Sequence, residues 1–541
     1  MDWDLFLKTA ILVLYVVGML LIAYFTRKRS KTVGDTLLGN RSMGGWLTAF
    51  AYGTTYFSAV IFIGYAGEQG YAFGFHSLWI GVGNALIGAA LAWLLLGKRT
   101  RNTTVLLGTK TMPEYFSARY DDKYLKLFSA LVVVVFLLPY SASVYTGLGY
   151  LFKSVFNIDF IWVVLAMAAL TAVYLFFGGY FATAVSDFAQ GLIMLVGVVV
   201  MIAFVFNYEA VGGFVEGLSH IAEKREELGL GISGTGVWQL VALVLLTSLG
   251  SWGLPQIVHK FHTVKDESAI KKATWVSTAF ALIIGVGAYL VGCTAVLIFE
   301  NAAAVPVDQR IPELLAKTLP AGLLGLIAVL VLSASMSTLS GLTLSVASAA
   351  GVDIMKGYIK KDAPDKTVNL TIKLVGVIVI AISAGIAVYN DFYQQANGKA
   401  TTIVNLMSLS WGVLAGAFIG PYIYGLYSKR ATKAGAYASM IGTLVLTAAL
   451  YIVSKTVPSA APVLTPPAIG VFTMAYSMLV VPVVSRFTRR PPQALVDKVF
   501  AAAVLPVGEV KEADAAELHG EKSAEENAKT AAGEDKKEEG I

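Results

Sequence analysis

Runs of about twenty apolar residues recur along most of this sequence, and each is long enough to cross a membrane as a helix, which takes ~20 residues. Residues 402–426 and 466–484, for example, contain no Asp, Glu, Lys or Arg. Over the whole chain only 14% of the residues are charged, against roughly 25% in a soluble protein. Strands of a membrane barrel would instead be ~10 residues long with alternating polarity. The sequence therefore predicts an all-α, polytopic membrane protein.

The basic residues between the apolar runs predict the orientation. Basic connections such as 27–31, 97–101 and 259–272 alternate with connections that are poor in Lys and Arg. Because Lys and Arg concentrate in cytoplasmic loops, we expect a multi-pass protein of the cell membrane with its N-terminus outside and its C-terminus in the cytoplasm. About thirteen spans are predicted, near residues 5–26, 45–66, 75–96, 124–152, 158–177, 184–206, 238–257, 273–299, 319–349, 367–389, 402–426, 434–453 and 466–484.

The two ends of the chain differ in composition. The first apolar run, 5–26, is too long for the core of a signal peptide and has no basic flank before it, so we expect it to remain as a leading helix. From about residue 509 the chain is mainly Ala, Glu and Lys, which cannot bury enough apolar surface to fold. We therefore predict a transmembrane domain over 1–490 and a cytoplasmic tail over 491–541 that is disordered from about residue 509.

The composition argues against several other kinds of chemistry. The only cysteine, Cys293, excludes an intramolecular disulfide, and the five His residues do not have the spacing of a metal site. The net charge of +6 lies largely in the connections, so it reflects topology and not nucleic-acid binding. We expect no enzymatic activity, and we expect the partners to be the lipid bilayer, a small solute and an ion, with no obligate protein partner.

Two spans carry residues that interrupt helices. Residues 51–59 (AYGTTYFSA) combine a Gly with a run of hydroxyl side chains, and residues 248–256 (SLGSWGLPQ) contain two Gly and a Pro. The two spans are five apart, and inverted-repeat transporters place discontinuous helices at matching positions of their halves. We therefore predict repeats over about 45–206 and 238–426. Ordinary kinked helices are the alternative, since Gly and Pro are common in membrane spans.

The stretch SASMSTLSG, residues 333–341, brings five hydroxyl side chains into an apolar span. Hard cations bind oxygen ligands, and the hydroxyls of Ser337 and Thr338 with the carbonyl of Ala334 would supply several. The alternative is that small and hydroxyl-bearing residues join neighbouring helices, where each hydrogen bond contributes ~0.6 kcal/mol. The stretch by itself leaves both interpretations open.

One acidic residue and several aromatic residues are further candidates. Asp187 lies near the start of a predicted span, and a carboxylate within a membrane usually has a function. Its alternative role is to stabilise a helix start through the helix dipole. The aromatic residues near the two interrupted spans are candidates for solute contacts: Tyr52, Tyr56, Phe57, Tyr140, Trp252 and Trp411.

Three motifs resemble the sodium:solute symporter family in their order and separation. They are LGNRSMGGW at 38–46, GGYFATAVSDFAQG at 178–191 and SASMSTLSG at 333–341. The resemblance covers about residues 5–485 and implies a LeuT-type fold, with a five-plus-five inverted repeat, one leading helix and two trailing helices. It also implies that Na⁺ is the coupling ion. The ligands that it implies are Thr54, Phe57, Ala334, Ser337 and Thr338.

A second sodium site is present in some members that the chain resembles. The resemblance would place it at Asp187, Ser337 and Ser340. The position of a further Ser ligand is Gly341 here. This departure puts the second ion in doubt, and Asp187 would then act on the first site instead.

The resemblance gives a mixed indication of the solute. Tyr140 matches a binding-associated Tyr of proline carriers, but their aromatic pair falls on Thr247 and Ser251 here. The sequence GSWGLPQ is closer to pantothenate-type carriers, so we expect import of a small organic acid, such as pantothenate or a monocarboxylate, or of an amino-acid-like solute. A sodium/proline-type amino acid symporter or a sugar symporter is the alternative. A solute sensor that signals through a separate partner is the alternative of another class. The candidate solute contacts are Thr55, Tyr56, Ser58, Tyr140, Trp252, Gln256 and Trp411.

Overall fold

The computed structural model describes residues 3–26, 32–177, 180–299, 301, 305–397 and 401–510. These residues form helices and short connections, with one isolated backbone pairing between Met43 and Val264. Within this part of the chain, eleven helices are long and apolar enough to cross a membrane. The all-α prediction is therefore confirmed, while the count of thirteen spans stays a prediction.

The α-helices are, in chain order, α1 Trp3–Thr26, α2 Val33–Leu38, α3 Gly45–Tyr56, α4 Ala66–Phe73, α5 Leu78–Gly83, α6 Lys98–Leu106, α7 Met112–Tyr120, α8 Lys123–Phe156, α9 Phe160–Phe177, α10 Tyr180–Phe206, α11 Phe214–Glu227, α12 Gly234–Leu249, α13 Pro255–His262, α14 Glu267–Cys293, α15 Ala295–Ile298, α16 Arg310–Thr318, α17 Ala321–Ser348, α18 Asp365–Asn397, α19 Ile403–Tyr427, α20 Lys433–Thr456, α21 Pro466–Phe487 and α22 Gln493–Val504. Segments of π-helix cover Val60–Tyr65, Asn84–Leu91, Trp93–Gly97 and Ala349–Ile359, and 3₁₀ turns cover Gly39–Arg41, Gly74–Ser77, Gly250–Gly253 and Val307–Gln309.

The first predicted break lies directly after α3. Phe57 has extended backbone angles, φ −107° and ψ 118°, and the helical path resumes with the π-helical segment at Val60. The N–H of Phe57 still donates to the carbonyl of Gly53. The carbonyls of the residues that follow Gly53 lie at the helix end, where no further turn offers them a donor.

The second predicted break lies between α12 and α13. The 3₁₀ turn Gly250–Gly253 continues α12, and Leu254 is extended, with φ −87° and ψ 121°. Pro255 then opens α13 at a position where its missing N–H costs nothing. Both interrupted spans are therefore discontinuous helices.

The hydroxyl-bearing helix α17 lies in the middle of the molecule. In its most apolar window 83% of the residues are buried, as in α19, whereas in α1 only 11% are buried. Helix α17 packs against α1, α8 and α10 and also reaches α3. Its Ser and Thr side chains therefore face protein, and α1 lies at the periphery.

Some predicted connections are folded. Residues 259–262 belong to α13, and Lys260 and His262 are 2% and 1% exposed. The predicted connection 259–272 is therefore helical at both ends, since α14 begins at Glu267. A short helix end and a loop have similar compositions, so the sequence does not separate them. The connection 27–31 and the tail from residue 511 lie outside the described residues, so the disorder of the tail stays a prediction, as does the orientation.

Candidate functional site

The hydroxyl of Thr338 joins the broken end of α3 to α17. Its Oγ1 lies 3.3 Å from the carbonyl oxygen of Thr54, 3.2 Å from that of Thr55 and 3.1 Å from that of Ala334. A threonine hydroxyl carries one hydrogen, so it cannot donate to three acceptors at once. The group is therefore richer in oxygen lone pairs than in hydrogens.

Ser337 adds to the same group from the preceding position of α17. Its Oγ donates to Thr54 Oγ1 at 2.7 Å, and Thr54 Oγ1 donates to the carbonyl of Phe50 at 2.8 Å. Thr54, Ser337 and Thr338 are at most 2% exposed. Buried carbonyl and hydroxyl oxygens in excess of donors fit a hard monovalent cation, which takes oxygen ligands.

The remaining predicted positions of the ion site differ in their surroundings. Phe57 lies in the extended break. The Thr338 hydroxyl meets the carbonyl of Thr55, next to that of Thr54, and not the carbonyl of Phe57. Ser340 donates to the Met336 carbonyl of its own helix at 2.7 Å. Phe57 and Ser340 therefore stay predictions, whereas the sequence had placed Thr55 only among the solute contacts.

Two further hydroxyls of α17, those of Ser335 and Ser333, lie outside this oxygen group. Ser335 donates to the Val331 carbonyl at 2.6 Å and accepts from the N–H of Ala59 at 3.3 Å, so it fixes the restart of the broken helix. Ser333 Oγ is buried near the hydroxyl of Tyr15 and has no other polar partner among the described residues. The density of hydroxyls in this stretch therefore combines helix packing with the oxygen group around Thr338.

Asp187 lies two turns into α10 and is fully buried, so it does not stabilise a helix start. Its Oδ2 lies 3.7 Å from the ammonium nitrogen of Lys260, and both side chains are at most 2% exposed. Ser337 lies beside the same carboxylate. The sequence analysis missed Lys260 because the surrounding HKFH reads as part of a basic connection; the proline-led turn before it was the available signal of a helix.

Three of the predicted solute contacts form an aromatic cluster beside the first break. The rings of Tyr56 and Trp411 stack with centroids 6.1 Å apart, and the rings of Tyr140 and Trp411 meet edge to face at 5.7 Å. The hydroxyl of Tyr56 donates to the carbonyl of Thr247, one turn before the second break. Ser58 lies beside the hydroxyl of Tyr140. The cluster therefore joins α3, α8, α12 and α19.

Trp252 and Gln256 lie apart from this cluster. The indole N–H of Trp252 donates to the carbonyl of Ile87 at 3.1 Å. Gln256 lines a cleft with Lys260 and Gly341, and its buried Oε1 has no hydrogen-bond partner in the part of the chain that the structure describes. These two residues stay predictions as solute contacts, but the structure does not bring them to the aromatic rings.

Two clefts are lined by residues of the helices that carry the candidate site. One is lined by Gln69, Leu243 and Asn405, among others, and has a volume of about 270 Å³ open to the centre of a water molecule. The other is the cleft at Gln256 and Lys260, where the corresponding volume is about 10 Å³.

The family is decided by comparison with known proteins. A family model described as the sodium:solute symporter family matches residues 37–443. The chain belongs to this family. Its members and its structural neighbours are transporters, and the coupling ion is Na⁺. The family membership and the Na⁺ coupling that the three sequence motifs predicted are therefore confirmed.

The curated relatives include proline carriers. The osmoregulated proline transporter OpuE of Bacillus subtilis is 30% identical over 433 residues, which cover 79% of this chain and 85% of that protein. Sodium/proline symporter 2 of Staphylococcus saprophyticus is 30% identical over 442 residues, covering 80% and 84%. The relatives thus favour the proline-type alternative over the organic acid that the sequence analysis expected.

Solved structures show the same fold at low sequence identity. A Na⁺-coupled sialic acid symporter in a substrate-bound outward-open state superposes with a TM-score of 0.73 at 18% identity, covering 90% of this chain and 98% of that one. Mhp1, a nucleobase-cation-symport-1 family transporter in a closed conformation, gives 0.51 at 16% identity, covering 86% and 98%. The LeuT-type fold is therefore confirmed.

Proposed function

We propose that this symporter imports a small zwitterionic amino acid of the proline type together with Na⁺ held between α3 and α17. The observation that carries the ion site is the set of three carbonyl oxygens within 3.3 Å of the single Thr338 hydroxyl. A cation among these oxygens would satisfy the lone pairs that one hydroxyl hydrogen leaves unpaired.

The proposed ligands are the carbonyls of Thr54, Phe57 and Ala334 with the hydroxyls of Ser337 and Thr338, and the Thr55 carbonyl is a sixth candidate. They lie on two helices that belong to different predicted repeats. Na⁺ would supply the charge that holds these helices together. In this proposal the break leaves carbonyls of α3 without helical donors, and α17 directs its hydroxyls to the same Na⁺ position.

The proposed solute contacts are centred on Tyr56, Tyr140 and Trp411. Their ring faces suit a compact apolar body such as a pyrrolidine ring. Thr247 and Ser251, which replace an aromatic pair of proline carriers, weigh less against proline because Tyr56 and Trp411 bring aromatic surface to Thr247.

A small organic acid is the second candidate, favoured by the GSWGLPQ sequence at 250–256. The two solutes differ in the charge moved. A zwitterion carried with one Na⁺ moves one net charge, which is worth ~2.3 kcal/mol per 100 mV, whereas a monoanion with one Na⁺ moves none. The basic connections support import toward a cytoplasmic C-terminus in the cell membrane.

The test uses the full chain reconstituted in proteoliposomes with radiolabelled L-proline. We expect an inward Na⁺ gradient to drive accumulation, and an inside-negative potential to increase it at a fixed Na⁺ gradient. Uptake of a labelled monocarboxylate or pantothenate that ignores the potential would replace proline by an organic acid. Solute binding without any Na⁺-driven accumulation would favour the sensor instead.

A further inference from the structure

Lys260 and Asp187 form a buried ion pair next to the proposed sodium ligands. The ammonium nitrogen and the carboxylate Oδ2 are 3.7 Å apart, and the two side chains are 2% and 1% exposed. Ser337 and Lys260 lie beside the Asp187 carboxylate, and no other side chain of the described residues is placed to bond it. The charge of Lys260 is therefore the positive partner that the structure offers this carboxylate.

The surroundings fix the ammonium group in place. Its nitrogen lies 5.2 Å from the centre of the Tyr180 ring, within cation–π distance. The Tyr180 hydroxyl is in turn 3.1 Å from Thr263 Oγ1, just past the end of α13. The same helix holds Lys260, so α10 and α13 are joined by the ion pair at one point and by this hydrogen bond at another.

Position 341 leaves little room for another oxygen ligand. A Cβ atom at Gly341 would lie 3.1 Å from Thr55 Cγ2, closer than most such contacts. Ser340 uses its hydrogen on the Met336 carbonyl. Around Asp187 the chain therefore provides a built-in cation and few free ligands for a mobile one.

We infer that the Lys260 ammonium serves as a fixed cation for Asp187, so that this symporter binds a single Na⁺ and moves one Na⁺ per solute. The inference rests on the proposed sodium site between α3 and α17. Asp187 contacts that site through Ser337, which bonds Thr54. With Lys260 in place, the Asp187 charge is balanced and the ligands around Thr338 bind the ion; without Lys260, the unbalanced carboxylate attracts a second Na⁺.

The test counts bound ²²Na⁺ on purified protein, with choline holding the ionic strength constant. We expect one Na⁺ per chain for the unaltered protein, close to two for Lys260→Met, and one for Lys260→Arg and for the double variant Asp187→Asn/Lys260→Met. Lys126→Met is the matched control, because Lys126 lies 3.6 Å from another buried acid, Asp353; its count should remain one. Two ions on the unaltered protein, or one on Lys260→Met, would overturn the inference.

A second measurement applies if Lys260→Met does not fold. Asp187→Asn leaves the buried ammonium unbalanced beside the sodium site, so Na⁺ affinity should fall at least tenfold, and the double variant should restore it to within about threefold. Equal affinities in all three proteins would mean that the pair is only structural, and the inference would be abandoned. If the unaltered protein bound no Na⁺ at all, the proposed function would fail instead.

Discussion

Both discontinuous helices are interrupted by a residue with extended backbone angles, but the polar groups at the two interruptions are bonded differently. At the first break, the carbonyls at the end of α3 face α17, and the acceptors at Thr338 exceed the available hydrogens. At the second break, Leu254 N–H donates to the Ser251 carbonyl, and the Leu254 carbonyl accepts from Ile257 and Val258. The first break thus leaves backbone carbonyls available to α17, whereas the second break pairs its backbone groups within its own turn.

The second break instead provides close packing. A Cβ atom at Gly253 would lie 2.9 Å from the Ala415 Cα and 3.1 Å from its carbonyl oxygen. Only a residue without a side chain allows α19 to approach that closely. Because α19 also carries Trp411, the second break sets the position of the aromatic cluster, whereas the first break positions the carbonyls that we propose as ion ligands. A discontinuous helix is therefore not by itself a sign of an ion site.

The largest effect is expected from Gly253→Ala. The new methyl group meets backbone atoms, which cannot turn away, so we expect a loss of about 2–3 kcal/mol in stability. Gly250→Ala is the matched control, because its Cβ would have no neighbour closer than 3.5 Å. Thermal unfolding of the two purified variants measures the difference. Equal melting temperatures would show that the second break is not a packing device.

The next effect is a loss of sodium affinity in Thr338→Ala. One ligand disappears from the oxygen group, and we expect the half-saturating Na⁺ concentration for uptake to rise roughly tenfold, equivalent to 1.4 kcal/mol. Thr338→Ser should retain most of the affinity because it keeps the hydroxyl. Ser348→Ala on the same helix is the control, since Ser348 bonds only the Ser345 carbonyl of its own helix. A rise of similar size in Ser348→Ala would mean that the hydroxyls of α17 act only in helix packing.

A smaller effect is expected where the two breaks meet. Tyr56→Phe removes the hydroxyl that donates to the Thr247 carbonyl, and a single hydrogen bond contributes about 1 kcal/mol. The Na⁺ dependence should change little, while the half-saturating solute concentration should rise several-fold, because the ring loses its tie to α12. Uptake kinetics at saturating Na⁺ test this. An unchanged solute affinity would mean that the two breaks act independently.

A pH effect is expected at Asp308, which lies in the 3₁₀ turn Val307–Gln309 and packs near α4. Burial, with the nearby Glu68 carboxylate of α4, raises the pKa of Asp308 to about 7. The unfolded carboxyl ionises near 3.9, so the folded protein binds the extra proton, and this stabilisation is lost as pH rises toward and through about 7. We expect a higher melting temperature at pH 5.5 than at pH 7.5, because the folded carboxyl loses its proton over this interval while the unfolded one is already ionised. Asp308→Asn should weaken this pH dependence; an unchanged difference between the two pH values would show that Asp308 is not its source.

The membrane helices could be predicted from the sequence for a physical reason. In lipid every backbone polar group must be bonded within the protein, so long apolar runs become helices. The two breaks were also predictable, because Gly, Pro and dense hydroxyl groups interrupt the apolar pattern. Helix ends were less predictable: α8 extends to Phe156, past the predicted end at 152, because a helix can continue beyond the residue where the apolar pattern stops.

The candidate site was predictable only in part. Ser337, Thr338 and Thr54 are brought together as expected. The Thr55 carbonyl was missed because backbone atoms look alike in sequence, and the direction of a carbonyl at a break depends on local torsion angles. The solute contacts were harder still: Tyr56, Tyr140 and Trp411 converge from three helices, while Trp252 turns to Ile87.

The sequence by itself determined the class of the protein, its discontinuous helices and the hydroxyl-bearing span, because these follow from local composition and the cost of unbonded polar groups in a membrane. Only the tertiary structure decided which oxygens converge and which charges are paired. Lys260 and Asp187 are 73 positions apart in the sequence, and their 3.7 Å separation depends on how α13 packs against α10. Coulomb interaction depends on distance and burial, and neither is fixed until the helices pack.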